Sequence, residues 1–181
     1  MTKLTKKFLT KNKACSDAVA WAIENKAIGL SRVDVLNKLI ESEKLDWANW
    51  FIVRIMSRKQ KLQYAIFAAE QAIEIYEKQY PKDDRPRKAI EAAKAVLKND
   101  TKSNRDAASN AAFVASDVAS AAFVASDAAF AAYAASNAAF VASDVASNAA
   151  SNAASDAAFA DPASYVVMKT KILKYGISLF K

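Results

Sequence analysis

The sequence of 181 residues contains no histidine, one cysteine, two glycines and three prolines. Without histidine, it lacks the commonest general base and the commonest metal ligand. The single Cys15 excludes an intramolecular disulfide and a zinc cluster, and its place within the start of an apolar helix predicts a buried, inert thiol. Two glycines are too few for a phosphate-cradling loop or for the tight turns of an all-β domain. These absences predict an all-helical protein that is not an enzyme and uses no metal or cofactor.

Charge is unevenly distributed along the chain, whose net charge is +7. Residues 1–106 carry 22 basic and 14 acidic side chains, residues 107–161 carry five aspartates and no Lys, Arg or Glu, and residues 162–181 carry four lysines and no acid. A basic balance is typical of a solvated surface, of nucleic-acid binding or of an anionic membrane surface. The sparse arginines and the lack of a DNA-reading motif favour the solvated surface. No apolar run reaches the ~18 residues of a transmembrane helix, which predicts a cytoplasmic protein.

Composition divides the chain into four parts. They are a basic N-terminal extension (1–13), an N-terminal helical part (14–106), an alanine-rich helical part (107–161) and a C-terminal basic amphipathic helix (162–181). We expect residues 14–181 to form one compact domain. The predicted fold is all-α, a multi-helix bundle of antiparallel helices whose C-terminal half consists of alanine-rich, tightly packed helices.

The first helix of the N-terminal part is predicted from Ala14 to Lys26. Asn12 or Ser16 can cap its start, and Gly29 provides a stop signal.

Two further helices are predicted to begin at polar caps. Ser31 followed by Asp34 resembles a capping box, and Asp46 can cap the next helix. That helix is rich in large aromatic side chains, which bury ~150–250 Å² each and anchor a core. An aromatic cage for a ligand is the alternative. The candidate core anchors are Trp21, Trp47, Trp50 and Phe51.

A single long helix is predicted from Lys59 to Tyr80, where Pro81 ends it because the residue before proline avoids helical geometry. Pro86 is suited to the first turn of the following helix, where its missing N–H costs nothing. Helical periodicity places one apolar stripe on each helix. The stripes are Leu62, Ile66, Ala69, Ile73 and Tyr76 on the first, and Ala89, Ile90, Ala93 and Leu97 on the second.

The alanine-rich part repeats short blocks such as AAFVASD, which begins at residues 111, 121 and 138. The spacing of its polar pairs matches whole helical turns, and we predict two or three helices with breaks near residues 133–137 or 147–152. Its phenylalanines, including Phe113, are expected to pack rather than face water. Asp161 and Pro162 are predicted to open a last helix that ends at Gly176.

The polar run between the two predicted long helices is the candidate site. Its arginines can pair with nearby carboxylates and fix the corner between the helices, which is the favoured interpretation, or they can bind an anionic group of a partner. The candidate residues, for partner binding or for the structural corner, are Asp83, Asp84, Arg85, Arg87 and Glu91.

Three stretches of the sequence are distinctive together. They are ACSDA at residues 14–18 with Trp21, Trp50 with Arg54, and YPKDDRPRKAIEA at residues 80–92, followed by RDAA at residues 105–108. In these stretches the sequence resembles a family of bacterial and bacteriophage proteins described as immunity proteins (Imm-5-like). The similarity spans roughly residues 12–160. It implies a cytosolic helical protein that binds and neutralises a toxin, so the expected partner is a protein, either a toxin or a host or defence factor.

Three alternatives remain open for the function. The protein can act in phage host takeover or anti-defence, bind nucleic acid or an anionic surface through its basic ends, or form a structural homo-oligomer through its alanine-rich helices. Salt-sensitive retention on DNA would support the second, and a concentration-dependent mass the third. We favour a protein-binding role over nucleic-acid binding.

Overall fold

A computed structural model describes residues 3–121, residue 138 and residues 165–181, and it confirms the all-α fold. In these residues the chain forms eight helices and no strand beyond an isolated bridge between Lys3 and Ser31. The breaks predicted at 133–137 and 147–152 and the predicted cap at Asp161 and Pro162 lie outside the described residues. The helices are α1 (Lys6–Lys11), α2 (Ser16–Glu24), α3 (Arg32–Glu41), α4 (Leu45–Ile55), α5 (Arg58–Gln79), α6 (Arg85–Lys98), α7 (Lys102–Ala121) and α8 (Tyr165–Ser178).

One of the three predicted helix caps is confirmed, and two are wrong. Ser31 caps α3, its hydroxyl accepting from the backbone N–H of Asp34 at 3.2 Å, as predicted. The cap predicted for α2 is wrong, because Cys15 precedes the helix and Asn12 instead ends α1, donating to the carbonyl of Phe8 at 2.8 Å. The cap predicted at Asp46 is also wrong, since α4 begins at Leu45 and places Asp46 in its first turn.

The turns of the N-terminal helices use little glycine. Lys13, Lys26 and Glu43 take left-handed backbone angles, with φ of 55°, 52° and 55°, at the ends of α1, α2 and α3. Helix α2 therefore ends at Glu24, before the stop predicted at Gly29. Gly29 lies in the following loop with φ of 92°, where its N–H donates to the carbonyl of Leu4 at 2.9 Å.

Helix α5 matches its prediction to within one residue at each end. A capping box of Ser57 and Gln60 starts it, and the predicted stripe from Leu62 to Tyr76 is buried. The stripe on α6 is buried at Ala89, Ile90 and Ala93, while Leu97 is half-buried and Val96 takes its place. Pro86 lies in the first turn of α6, as predicted.

Alanine faces bring α6 and α7 together. Ala93 of α6 and Ala108, Ala112 and Ala115 of α7 are completely buried, so these helices pack through small side chains. Phe113 is 60% exposed, against the expectation that it packs away from water. The reason is geometric, because the close approach of two helices requires the alanine side of α7 rather than its phenylalanine side.

Helix α8 packs against α4 and α5, and Gly176 makes this possible. A Cβ atom at this position would lie 2.6 Å from Cδ1 of Ile52 and 2.8 Å from Cε2 of Tyr64. The stop predicted at Gly176 is therefore wrong: the helix continues to Ser178, and the glycine serves close packing. Tyr64 is itself completely buried and donates to Oδ1 of Asn49 at 2.8 Å.

The first residues of the chain contribute to the core. Leu4 and Leu9 are buried, and the ring of Phe8 meets that of Phe51 edge-on at 5.6 Å. The segment expected as a basic extension therefore has an apolar side that packs and a lysine side that is exposed. The division of the chain at residues 13, 106 and 161 stays a prediction.

We expect Gly176→Ala to destabilise the protein by about 1 kcal/mol or more. The added methyl group meets the Tyr64 ring, and overpacking of about 1–3 kcal/mol outweighs the ~1 kcal/mol that alanine contributes to a helix. Urea unfolding measures the change. Lys174→Ala, an exposed position of the same helix, is the control and should change stability by less than about 0.5 kcal/mol. A Gly176→Ala protein as stable as the wild type would contradict the packing argument.

Candidate functional site

Asp83 and Arg85 form the centre of the corner between α5 and α6. The guanidinium binds the carboxylate through two atoms, Nε to Oδ1 at 2.8 Å and Nη2 to Oδ2 at 2.5 Å. The backbone N–H of Arg85 and the hydroxyl of Tyr76 also donate to this carboxylate, at 3.2 Å and 2.9 Å. Because Asp83 accepts all four hydrogen bonds, it is held in one orientation between the two helices.

These contacts shift the pKa values of Asp83 and Tyr76 in opposite directions. The Arg85 guanidinium, helped by the hydrogen bond from Tyr76, holds the pKa of Asp83 well below its usual range. Burial raises the pKa of Tyr76 well above its usual value, and the carboxylate of Asp83 raises it further. The pair therefore stays as a carboxylate and a neutral phenol across the physiological range.

Arg87 binds a residue that the sequence analysis did not single out. Its Nε and Nη2 atoms donate to the two carboxylate oxygens of Glu77, at 2.7 Å and 2.5 Å. The hydrogen bond from Arg87 lowers the pKa of Glu77, and the same contact raises the pKa of Arg87. This ion pair joins the first turn of α6 to the last turn of α5.

Glu91 and Asp84 lie apart from these two arginine pairs. Lys94 contacts Glu91 at 2.7 Å and also Glu70 of α5 at 2.9 Å. Asp84 pairs with Lys88 at 2.9 Å on the exposed side of α6. The structure thus brings Asp83 and Arg85 together, gives Arg87 and Glu91 other partners, and leaves their role toward a partner protein a prediction.

The two ion pairs between the helices follow one register. Seven positions forward along α6, from Arg87 to Lys94, correspond to seven positions backward along α5, from Glu77 to Glu70. Seven residues are two helical turns, so both pairs lie on one side of an antiparallel helix pair. This matched spacing of opposite charges was readable from the sequence and would have identified Glu77 and Glu70.

An open cleft of about 540 Å³ adjoins the corner. Arg85, whose side chain is 50% exposed, lies on its wall beside the half-buried Tyr80. The centres of the Tyr80 and Tyr76 rings lie 5.0 Å apart, so the two rings pack together and restrict the orientation of Tyr80. A cleft with arginine, tyrosine and lysine on a fixed backbone is suited to contact with a polar protein surface. It is lined by Gln79, Tyr80, Pro81, Lys82, Asp83, Asp84 and Arg85.

Of the four predicted core anchors, only Phe51 is fully buried. Trp21, Trp47 and Trp50 are half-buried, with the first two rings packed edge to face at 6.3 Å. Arg54 lies over the Trp50 ring at 4.1 Å and donates to the Trp50 carbonyl at 2.9 Å. The tryptophans therefore cover one end of the core and also form part of the surface.

Cys15 and Asp46, near the tryptophans, have surroundings that differ from those predicted. Cys15 is exposed rather than buried, because it precedes α2 instead of lying inside it. Asp46 is largely exposed but pairs with the completely buried Lys169 of α8. These partners lie 123 residues apart in sequence, so no local pattern could indicate the pair.

The fold and the corner define the protein as an all-helical scaffold in which paired charges fix two antiparallel helices. Residues 52–161, more than half of the chain, match the family described as "Imm-5 like putative immunity protein", and the chain belongs to this family. The match confirms the resemblance and contains the whole corner, whereas the three tryptophans precede it. Searches of curated proteins and of solved structures return no match.

Residues 3–121, 138 and 165–181 contain neither a membrane-spanning helix nor a cluster of metal-binding side chains. No helix in this part of the chain has both the length and the hydrophobicity to cross a membrane. No group of three or more His, Cys, Asp or Glu side chains is placed there to hold a metal ion.

The low pKa of Asp83 predicts a loss of stability in acid that the Asp83→Asn variant should not share. Below the unfolded-state pKa of about 3.9, the unfolded chain binds a proton that the folded chain excludes, so stability falls as the pH falls. The stabilisation is complete above that pH. The variant should therefore be less stable than the wild type at pH 7, and the difference should shrink towards pH 2 in urea unfolding experiments.

Asp84→Asn is the matched control for this prediction. Its side chain is 65% exposed and pairs only with Lys88 among the described residues, so its effect should be small at every pH. A stability difference between Asp83→Asn and the wild type that is equal at pH 7 and at pH 2.5 would contradict the assignment.

Proposed function

We propose that this chain is an immunity-type protein that binds a toxin or effector protein and neutralises it by binding alone, without catalysis. The observation that carries this proposal is membership of the Imm-5 like family over residues 52–161. An immunity protein acts by forming a complex, so the relevant feature of its structure is a surface of fixed shape.

Within the described residues of the family region, the cleft at the corner is well suited to that contact. Asp83 holds Arg85, and Glu77 holds Arg87, before any partner arrives. Side chains that are already ordered lose less conformational entropy on binding. Arginine and tyrosine are also enriched among the residues that dominate binding energies at interfaces. The corner therefore has two roles in this proposal, joining the helices and presenting Tyr80, Lys82 and Arg85 to the partner.

We expect co-expression of this chain to restore growth to bacterial cells poisoned by the toxin encoded beside its own gene. Growth curves and co-purification of the two proteins measure the effect. Lys82→Glu reverses an exposed charge of the cleft and should weaken the complex about tenfold, which corresponds to about 1.4 kcal/mol.

The matched control is Lys98→Glu, which makes the same charge change at the opposite end of α6. It should protect cells as the wild type does. If no product of a neighbouring gene is toxic, or if the wild-type chain neither binds nor neutralises a toxic one, the immunity role is wrong. If both variants instead bind the toxin with equal affinity, the contact does not involve the corner.

A further inference from the structure

A groove of about 300 Å³ lies beside the first turns of α2 and α4. Trp47 and Trp50 form its wall with Ala18, and Lys13 and Cys15 line it as well. A smaller, wholly apolar cavity of about 30 Å³ shares Ala18 and both tryptophans with the groove. The groove has the volume at which small ligand pockets begin, so it can enclose a large side chain rather than only touch one.

Cations surround this aromatic wall. Lys13 lines the groove, Nζ of Lys44 lies 5.3 Å from the centre of the Trp47 ring, and Cζ of Arg54 lies 4.1 Å from that of Trp50. The one carboxylate on the wall, that of Asp46, is paired with Lys169. The local charge is therefore positive, and it favours an anionic ligand.

The exposed side of the N-terminal segment extends this charge. Lys3, Lys6, Lys7, Lys11 and Lys13, called here the basic ridge, are all exposed, and no acidic residue precedes Asp17. None of the five forms an ion pair with another described residue. Lys13 of the ridge lines the groove, and Leu4 and Leu9 of the same segment line the apolar cavity with Trp21, Trp47 and Trp50. The segment that carries the ridge therefore adjoins the groove.

We propose that the groove and the basic ridge together bind an acidic segment of a protein. One large apolar side chain of that segment enters the groove beside Trp47 and Trp50, and its flanking carboxylates pair with the lysines of the ridge. Apolar anchors in pockets supply affinity, and charges around them supply specificity and faster association.

The arrangement of the rings favours a protein segment over a nucleic acid. Binding of single strands uses open aromatic faces on which bases stack. Here Arg54 covers one face of Trp50, and Trp21 and Trp47 pack against each other edge to face. The remaining space is a concave apolar groove, which suits an aliphatic or aromatic side chain. The tryptophans and the ridge all precede residue 52, so this inference does not depend on the proposed function of the family region.

The unmodified protein contains its own reporters for a test. All three tryptophans of the chain lie at the groove or the adjoining cavity, and the sole cysteine lines the groove. The probe is a dodecapeptide of Glu and Asp with one central Phe. A peptide with Ala in that position and an oligothymidylate of the same length are compared with it at low salt. Tryptophan fluorescence gives the affinity, and the rate of Cys15 alkylation gives the occupancy of the groove.

We expect the Phe peptide to bind at least about tenfold more tightly than the Ala peptide and to slow Cys15 alkylation several-fold, because only an occupied groove shields the thiol. Lys13→Glu should weaken binding about tenfold, whereas Lys98→Glu, the same charge change on α6, should not. Circular dichroism checks that both variants fold.

Three results would overturn the inference. Equal binding of the Phe and Ala peptides with unchanged Cys15 alkylation would show attraction to the lysines alone. Tighter binding of the oligothymidylate would identify a nucleic-acid surface. No binding of any probe would leave the groove without this function. None of these results bears on growth rescue, so the immunity role and this inference can fail separately.

Discussion

The contact of α8 with α4 and α5 is the constraint on which the rest of the structure depends. Gly176 lets the backbone of α8 approach Ile52 and Tyr64. The position of Tyr64 is fixed by the hydrogen bond that its hydroxyl donates to Asn49 of α4. The stacked rings of Phe67 and Tyr175, 3.9 Å apart, extend the contact. Since α4 carries the tryptophan groove and α5 carries the charged corner, this contact fixes both surfaces relative to one another.

Paired charges have a different task at the corner. Exposed ion pairs contribute little to stability, about 0–1 kcal/mol each. Buried alanines on α5 and α6, such as Ala69 and Ala93, are alike in size and shape, so they specify the alignment of the two helices poorly. The pairs of Glu77 with Arg87 and of Glu70 with Lys94 match only when α5 and α6 lie in one register. The charges therefore select the alignment, and burial of apolar side chains such as Ile73 and Ile90 stabilises it.

The sequence misses features whose causes are distant, and it predicts only some of those whose causes are local, since the cap and the end of α2 were both wrong. The ends of α5 and the cap at Ser31 depend on neighbouring residues, and both were predicted. Asp46 looked like a cap, but its partner Lys169 belongs to a helix far along the chain. Gly176 was predicted to end its helix because glycine often follows a helix end. Its actual role depends on Ile52 and Tyr64, which are distant in sequence and cannot be identified from the residues around it. The corner residues were identified, yet the spacing that indicates Glu77 requires α5 and α6 to be considered together.

The scarcity of glycine has a consequence beyond the turns themselves. Lys13, Lys26 and Glu43 adopt left-handed angles that glycine would adopt without strain. A chain with few glycines, however, has fewer backbone states when unfolded, and alanine side chains have no rotamer freedom to lose. Folding this chain therefore costs less conformational entropy per residue than folding an average sequence. Because this entropy cost is smaller, contacts between small side chains, such as the alanines of α6 and α7, are enough to hold helices together.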